Sequence, residues 1–152
     1  METVKFRQMK DGDREDYAFL DANARKGGVI ILPSGLQYKI LRNGTGAAPK
    51  PGDTVVVEYR GWLPDGQEID SSYLGETPTA IRVDQAIPAW QEALPRMEEG
   101  ARWELYVPPD LGYQAPERLA GRTLIFQIEL LAIVPADASI SPHRKPLRSF
   151  HR

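Results

Sequence analysis

The sequence predicts an α+β domain in which a curled antiparallel β-sheet wraps around one short α-helix. Segments rich in β-branched and aromatic residues recur between residues 36 and 134, separated by glycine, proline and asparagine. A single convincing helical pattern interrupts these segments. The domain is predicted to span residues 34–134, with a helical appendage and linker at 1–33 and a disordered basic tail at 135–152.

The first predicted helix covers residues 13–26. Tyr17, Leu20 and Ala24 fall at helical spacing, acidic residues open the segment, and Gly27 and Gly28 end it. Its apolar face is narrow, so this helix would be marginal in isolation. We expect it either to pack on the domain or to be the end of a longer dimerising helix, and we predict that this chain is a monomer.

Five segments have the composition of strands: residues 36–41, 54–63, 80–83, 102–108 and 123–134. The first two are expected to pair with each other as antiparallel strands. Pro64, Asp65 and Gly66 predict a hairpin turn directly after the second. The last segment is a nearly continuous apolar run, which predicts a central strand of the sheet.

The helix within the domain follows the third of these strands. Asp84 is its predicted cap, and Pro88 fits its first turn. Its apolar residues fall close to one face, and they are Ile87, Trp90, Leu94 and Met97. We expect the sheet to curl around this face.

The residue types present exclude several classes of chemistry. Cysteine is absent, and the two histidines, His143 and His151, lie in the predicted tail. Disulfides, serine–histidine hydrolysis and the usual zinc sites are therefore not expected in the domain, and we predict that it needs no cofactor and no metal. A net charge of -2 gives no general attraction for nucleic acid or for an anionic membrane.

The two ends of the chain carry weaker signals. The tail cations could bind a polyanion, although a solvated tail is the simpler interpretation; they are Arg144, Lys145, Arg148 and Arg152. No apolar run is long enough to cross a bilayer, and the N-terminus is too polar for a signal peptide. The sequence as it stands predicts a cytoplasmic protein, or a periplasmic one if an upstream signal was removed.

Acidic residues at two places in the domain are candidates for a catalytic or binding role. Glu98 and Glu99 precede a glycine and are interpreted as a solvated turn rather than as an acid–base pair. Asp70 follows a predicted hairpin strand beside the apolar Ile69. It is either a structural Asx turn or a functional carboxylate with a partner elsewhere.

Four aromatic residues leave a similar choice. Tyr59, Trp90, Tyr113 and Phe126 either fill the core or converge on a pocket lined by rings. Such a pocket suits a reaction that breaks no covalent bond. Rotation about an Xaa-Pro peptide bond is one example, because amide resonance gives it a barrier of about 18–20 kcal/mol. Lowering that barrier by about 4 kcal/mol would accelerate rotation about a thousandfold.

Three stretches carry a resemblance to a known family: VEYRGWLPDGQEIDSS (57–72), QAIPAWQEALPRMEEGARWELYVPPDLGY (85–113) and TLIFQIELL (123–131). In this order they resemble the FKBP-type peptidyl-prolyl cis-trans isomerases, the macrolide-binding immunophilins, over residues 34–134. Residues 19–41 are similar to the helix-to-domain junction of the bacterial macrophage-infectivity-potentiator branch. The resemblance implies isomerase activity in protein folding, with proline-containing peptides, unfolded protein clients and macrolides such as rapamycin as partners.

The same resemblance implies roles for residues of this chain. Trp90 would be the floor beneath a bound proline ring, Tyr59 a wall, Asp70 a rim carboxylate and Tyr113 a phenol that donates to a substrate carbonyl. Apolar contacts would come from Ile69, Ile81, Ala86, Ile87, Leu119 and Phe126.

Two departures from the family pattern bear on function. Ile69 stands where the family usually has phenylalanine, and Ala86 stands where it usually has valine. Both reduce the apolar volume of the pocket. The leading prediction is an isomerase; the alternative is a module or chaperone that grips proline-containing segments in the same pocket without useful turnover.

Overall fold

The computed structural model describes residues 11–71, 78–113 and 119–136, with side chains for all of these except residues 11–13, 70 and 71. Its helices and strands, in chain order, are α1 (Asp11–Asn23), β1 (Val29–Ile31), β2 (Gln37–Arg42), β3 (Thr54–Trp62), β4 (Glu68–Ser71), β5 (Thr79–Arg82), α2 (Pro88–Ala93), β6 (Arg102–Val107) and β7 (Leu124–Val134). Short 3-10 turns occupy Val83–Gln85, Leu94–Arg96 and Pro109–Leu111. Neither α1 nor α2 is long and apolar enough to span a bilayer.

The described strands form one antiparallel sheet in the order β1-β2-β6-β7-β3-β4, with β5 paired to β3. Strand β7 lies between β6 and β3, so the predicted central position of the last strand is confirmed. The predicted α+β class is confirmed as well. Buried side chains on one face of the sheet enclose α2, which contributes Ala89, Trp90 and Ala93 to the same core.

The predicted pairing of the first two strands is wrong. Strand β2 pairs with β1 and β6, whereas β3 pairs with β4, β5 and β7. Residues 43–53 instead carry the chain from one part of the sheet to another, and the amides of Thr45 and Gly46 donate to the carbonyl of Glu99 on the way. A connection of this length does not form a tight hairpin turn. Strands that follow each other in the sequence, such as β2 and β3, therefore need not pair in the sheet. The short turn after β3 is confirmed, since Leu63 N donates to Gln67 O at 2.9 Å.

Two predictions about acidic residues are corrected by their contacts. Asp84 does not cap α2: it lies in the preceding 3-10 turn and pairs with Arg82, while Ile87 is the N-cap and uses no side-chain hydrogen bond. Residues 99 and 100 do form the predicted turn and Glu98 is exposed, but Glu99 is not fully solvated. Its half-buried carboxylate accepts a hydrogen bond from Ile133 N of β7 at 2.9 Å.

Helix α1 packs on the domain through a face that overlaps only in part with the predicted one, since Leu20 and Ala24 are half-buried. Tyr17 is 37% exposed, whereas Asp16 and Asn23 are buried. Asn23 Nδ2 donates to Gln37 Oε1 at 2.8 Å, and the Phe19 ring lies 6.1 Å from that of Tyr106. Apolar periodicity misplaced the contact face because its two most buried residues are polar and are satisfied by partners on the domain.

The end of the described chain is held to the domain. Ala136 N donates to Asp53 Oδ1 at 3.1 Å, and the other oxygen of this carboxylate accepts from Lys50 N. The predictions for the tail, including both histidines and the four cations, lie outside the described residues.

Candidate functional site

Four aromatic rings meet beside α2. The Trp90 ring centroid lies 5.0 Å from that of Tyr59 and 5.4 Å from that of Phe126, both nearly perpendicular to it. Phe126 is also 6.2 Å from Tyr59 and 6.4 Å from Tyr113. These are the edge-to-face geometries that aromatic rings prefer. The four rings predicted to share a pocket therefore do come together.

The apolar residues proposed for the pocket belong to the same hydrophobic cluster. They are Ile69, Ile81, Ala86, Ile87 and Leu119. The members of the set differ in exposure. Tyr59 and Tyr113 are half-buried, as are the three isoleucines, whereas Trp90 and Leu119 are nearly covered. Phe126 has no exposed surface, so in this structure it packs behind the other rings.

Glycine at position 61 is what allows the Phe126 ring to lie so close to β3. A Cβ atom built on Gly61 would come 2.7 Å from Phe126 Cε1 and 3.3 Å from Ile69 Cγ1. Both residues therefore flank Gly61 on the pocket face of the sheet. Asp70 is paired with Gly61 in the register of β3 and β4, but its side chain lies outside the described residues. Its predicted role as a rim carboxylate stays a prediction.

The turn before α2 sets the position of the pocket floor. Ala86 N donates to Val83 O, and Trp90 N donates to Ile87 O. Gln91 Nε2 donates to Ala86 O at 2.7 Å, which fixes the main chain at the start of the floor. Sequence reasoning missed Gln91. A polar residue one turn past Ile87 was the available signal, because such a side chain can reach back to the turn before a helix.

The described pocket side chains carry no charge, and their polar groups are phenols and one indole. Trp90 Nε1 is buried without a hydrogen-bond partner in the part of the chain that the structure describes. The groups with a perturbed pKa lie elsewhere. Burial and the neighbouring Glu104 raise the pKa of Tyr106 on the opposite face of the sheet. The described side chains of the site can exclude water and donate hydrogen bonds, and none of them is a thiol, an amine or a carboxylate.

Comparison with known families finds two matches. Residues 45–131 match the FKBP-type peptidyl-prolyl cis-trans isomerase domain, and residues 1–40 match the domain that lies amino-terminal to such isomerases. The first match covers more than half of the chain and contains every pocket residue discussed above.

Individual relatives agree with the family matches. The chain is 48% identical to Outer membrane protein MIP of Legionella longbeachae, over 78% of this chain and 53% of that protein. It is 45% identical to Peptidyl-prolyl cis-trans isomerase Mip of Coxiella burnetii, over 76% of this chain and 52% of that one. The chain thus spans about half the length of these curated relatives.

Solved structures show the same fold. The crystal structure of FkpA from Escherichia coli superposes with a TM-score of 0.80 at 36% identity, covering 88% of this chain and 65% of that one. A peptidyl-prolyl cis-trans isomerase from Pseudomonas syringae gives a TM-score of 0.73 at 33% identity, covering 81% and 93%. The chain belongs to the FKBP-type peptidyl-prolyl cis-trans isomerase family, in the branch that contains Mip and FkpA.

Proposed function

We propose that the protein accelerates cis-trans rotation about Xaa-Pro peptide bonds during protein folding. The observation that carries this proposal is the convergence of Tyr59, Trp90, Tyr113 and Phe126 in one uncharged cluster with a partly exposed rim. Family membership supports it. Two of the relatives are named as peptidyl-prolyl cis-trans isomerases, and the chain covers about half of the length of each.

The proposed mechanism is selective stabilisation of the twisted amide. A proline ring sits against Trp90, and the half-buried rim keeps water from the prolyl amide. The planar amide is more polar than the twisted one and loses more by leaving water, so desolvation lowers the barrier. A hydrogen bond from the Tyr113 phenol holds a substrate carbonyl. No bond of the substrate is broken and no proton is transferred.

The proposed clients are proline-containing segments of unfolded proteins, with rapamycin as a ligand of the same pocket. We further propose that the chain is monomeric, because the buried residues of α1 pack against the domain of the same chain. The Legionella relative is named an outer membrane protein, which favours the periplasmic over the cytoplasmic alternative for this chain.

The decisive experiment measures cis-to-trans relaxation of a short Xaa-Pro peptide with and without the protein. The uncatalysed relaxation takes tens of seconds or longer, so acceleration is readily detected. We expect acceleration that rapamycin abolishes. A protein whose Trp90 fluorescence responds to the peptide, but which leaves the relaxation rate unchanged, would instead be the non-catalytic binding module.

A further inference from the structure

An ion pair between α1 and the domain lies next to the pocket. The Asp16 carboxylate accepts from Arg122 Nε at 2.7 Å and from Arg122 Nη2 at 3.1 Å, and it also accepts from Thr123 N at 2.9 Å. The Asp16 side chain is only 3% exposed. Hydrogen bonding to this carboxylate raises the pKa of Arg122 above its usual range.

The segment that Asp16 holds leads directly into the pocket. Arg122 N donates to Leu119 O at 3.2 Å, which closes a turn over residues 119–122, here called the Leu119 turn. Leu119 is buried in the same hydrophobic cluster as Trp90 and Phe126. The main chain fixed by Asp16 is therefore the main chain from which a proposed pocket residue projects.

Gly112 lies close to Arg122 and Leu124, at the end of the Leu119 turn. A Cβ atom built on Gly112 would lie 3.1 Å from Leu124 Cδ1 and 3.7 Å from Arg122 O. Gly112 immediately precedes Tyr113, the proposed hydrogen-bond donor. Tyr113 and Leu119 thus both project from main chain that is anchored at residues 122–124.

The chemistry of the contact indicates positioning rather than attachment. A buried ion pair adds little net stability, because desolvation of the two charges offsets their attraction, and an apolar pair would attach a helix as well. A bidentate pair that also takes a backbone N–H fixes the orientation of the groups it joins. We propose that Asp16 is a positioning residue, which acts through Arg122 and Thr123 to place Leu119 and Tyr113 at the pocket rim.

This inference rests on the proposed isomerase function for its consequence, but its structural part can be tested separately. The full chain is compared with Asp16→Asn, which keeps the size of the side chain and removes its charge. Asn23→Ala is the matched control, because it breaks a different polar contact of α1, to Gln37 on β2, away from the Leu119 turn.

Four quantities are measured: amide hydrogen exchange at Arg122 and Thr123, kcat/KM for an Xaa-Pro peptide, the Kd for rapamycin and the melting temperature. We expect Asp16→Asn to speed exchange at both amides and to lower kcat/KM and rapamycin affinity by about fivefold, since small misplacements of contact residues are costly. Asn23→Ala should lower the melting temperature and leave the other quantities unchanged.

A double mutant separates positioning from simple destabilisation. Arg122→Gln should reproduce the effect of Asp16→Asn, and combining both changes should be no worse than the more severe single change, because the two residues act as one unit. Equal effects of Asp16→Asn and Asn23→Ala on kcat/KM and Kd would overturn the inference. If the wild type fails to accelerate the peptide, the proposed function is wrong, while exchange and rapamycin affinity still decide the role of Asp16.

Discussion

The two faces of the sheet are used in different ways. The pocket face buries aromatic and aliphatic side chains around α2, and Phe126 there contacts the rings of Tyr59, Trp90 and Tyr113. Helix α1 packs on the outer face through polar contacts such as that of Asn23 with Gln37, and Phe19 adds a ring contact to Tyr106. Hydrophobic burial is non-directional and tolerates adjustment, whereas the polar contacts fix atoms in place. We infer that the pocket face supplies most of the stability, whereas the contacts of the outer face fix the orientation of α1.

The largest expected effect comes from deleting the ring at the centre of the pocket face. Trp90→Ala should lower the free energy of unfolding by about 3–5 kcal/mol, because it leaves a cavity against Tyr59 and Phe126. Trp103→Ala is the control, since Trp103 is equally buried but stacks on Tyr38 instead. Denaturant unfolding should show similar losses, and only Trp90→Ala should abolish rapamycin binding by the folded fraction. Retained binding would remove Trp90 from the floor.

A second change tests how closely the pocket face is packed. Gly61→Ala places a methyl group against Phe126, where a built Cβ atom lies 2.7 Å from the ring. Overpacking should lower the free energy of unfolding by about 1–3 kcal/mol. Gly27→Ala adds a methyl group with no atom within 4 Å and should be neutral or slightly stabilising. Equal stability of the two variants in urea would show that Phe126 can move aside.

The outer face should respond less strongly to a single deletion. Asn23→Ala removes one buried hydrogen bond to Gln37, whose amide nitrogen keeps its own bond to Leu20 O. We expect a loss of about 1 kcal/mol in the free energy of unfolding. Thermal unfolding with the peptide assay in parallel checks this. A loss as large as that of Trp90→Ala would contradict the division of roles between the two faces.

The smallest effect concerns the missing aromatic wall. Ile69 is half-buried beside Gly61 and Phe126, so a phenylalanine there has room toward the rim. Ile69→Phe should raise the isomerisation rate and tighten rapamycin binding by up to about 1 kcal/mol each, because it shields the prolyl amide further from water. A folded variant with unchanged rate and affinity would place Ile69 outside the pocket.

The pocket face was the more predictable of the two. The β-branched and aromatic composition of β3, β6 and β7 predicts that these segments are strands. The family resemblance then selected the rings that the structure brings together. Pairing partners were not predictable in the same way. The hairpin assumption failed for β2 and β3 because local composition carries no information about which distant strand completes a ladder.

The contact of α1 shows a different limit. Asp16 and Arg122 are separated by 106 residues, and nothing in either segment marks the other as its partner. A buried acid looks like a surface residue until its donors are known. Sequence periodicity therefore chose Tyr17, Leu20 and Ala24 for the contact face and assigned no contact to Asp16 or Asn23. Asp84 failed as a cap for a related reason, since Arg82 was a nearer partner.

The central position of β7 has a consequence for how the chain is made. Strands β1, β2 and β6 can form one half-sheet, and β3, β4 and β5 another, but only β7 joins them. During synthesis the edges of β6 and β3 stay open until residue 134 has left the ribosome. Both the joined sheet and the ring cluster around Phe126 can then form only once β7 is available, through contacts between distant segments that fold slowly. Until β7 pairs with them, the edges of β6 and β3 in this isomerase-family protein are open to pairing with other chains.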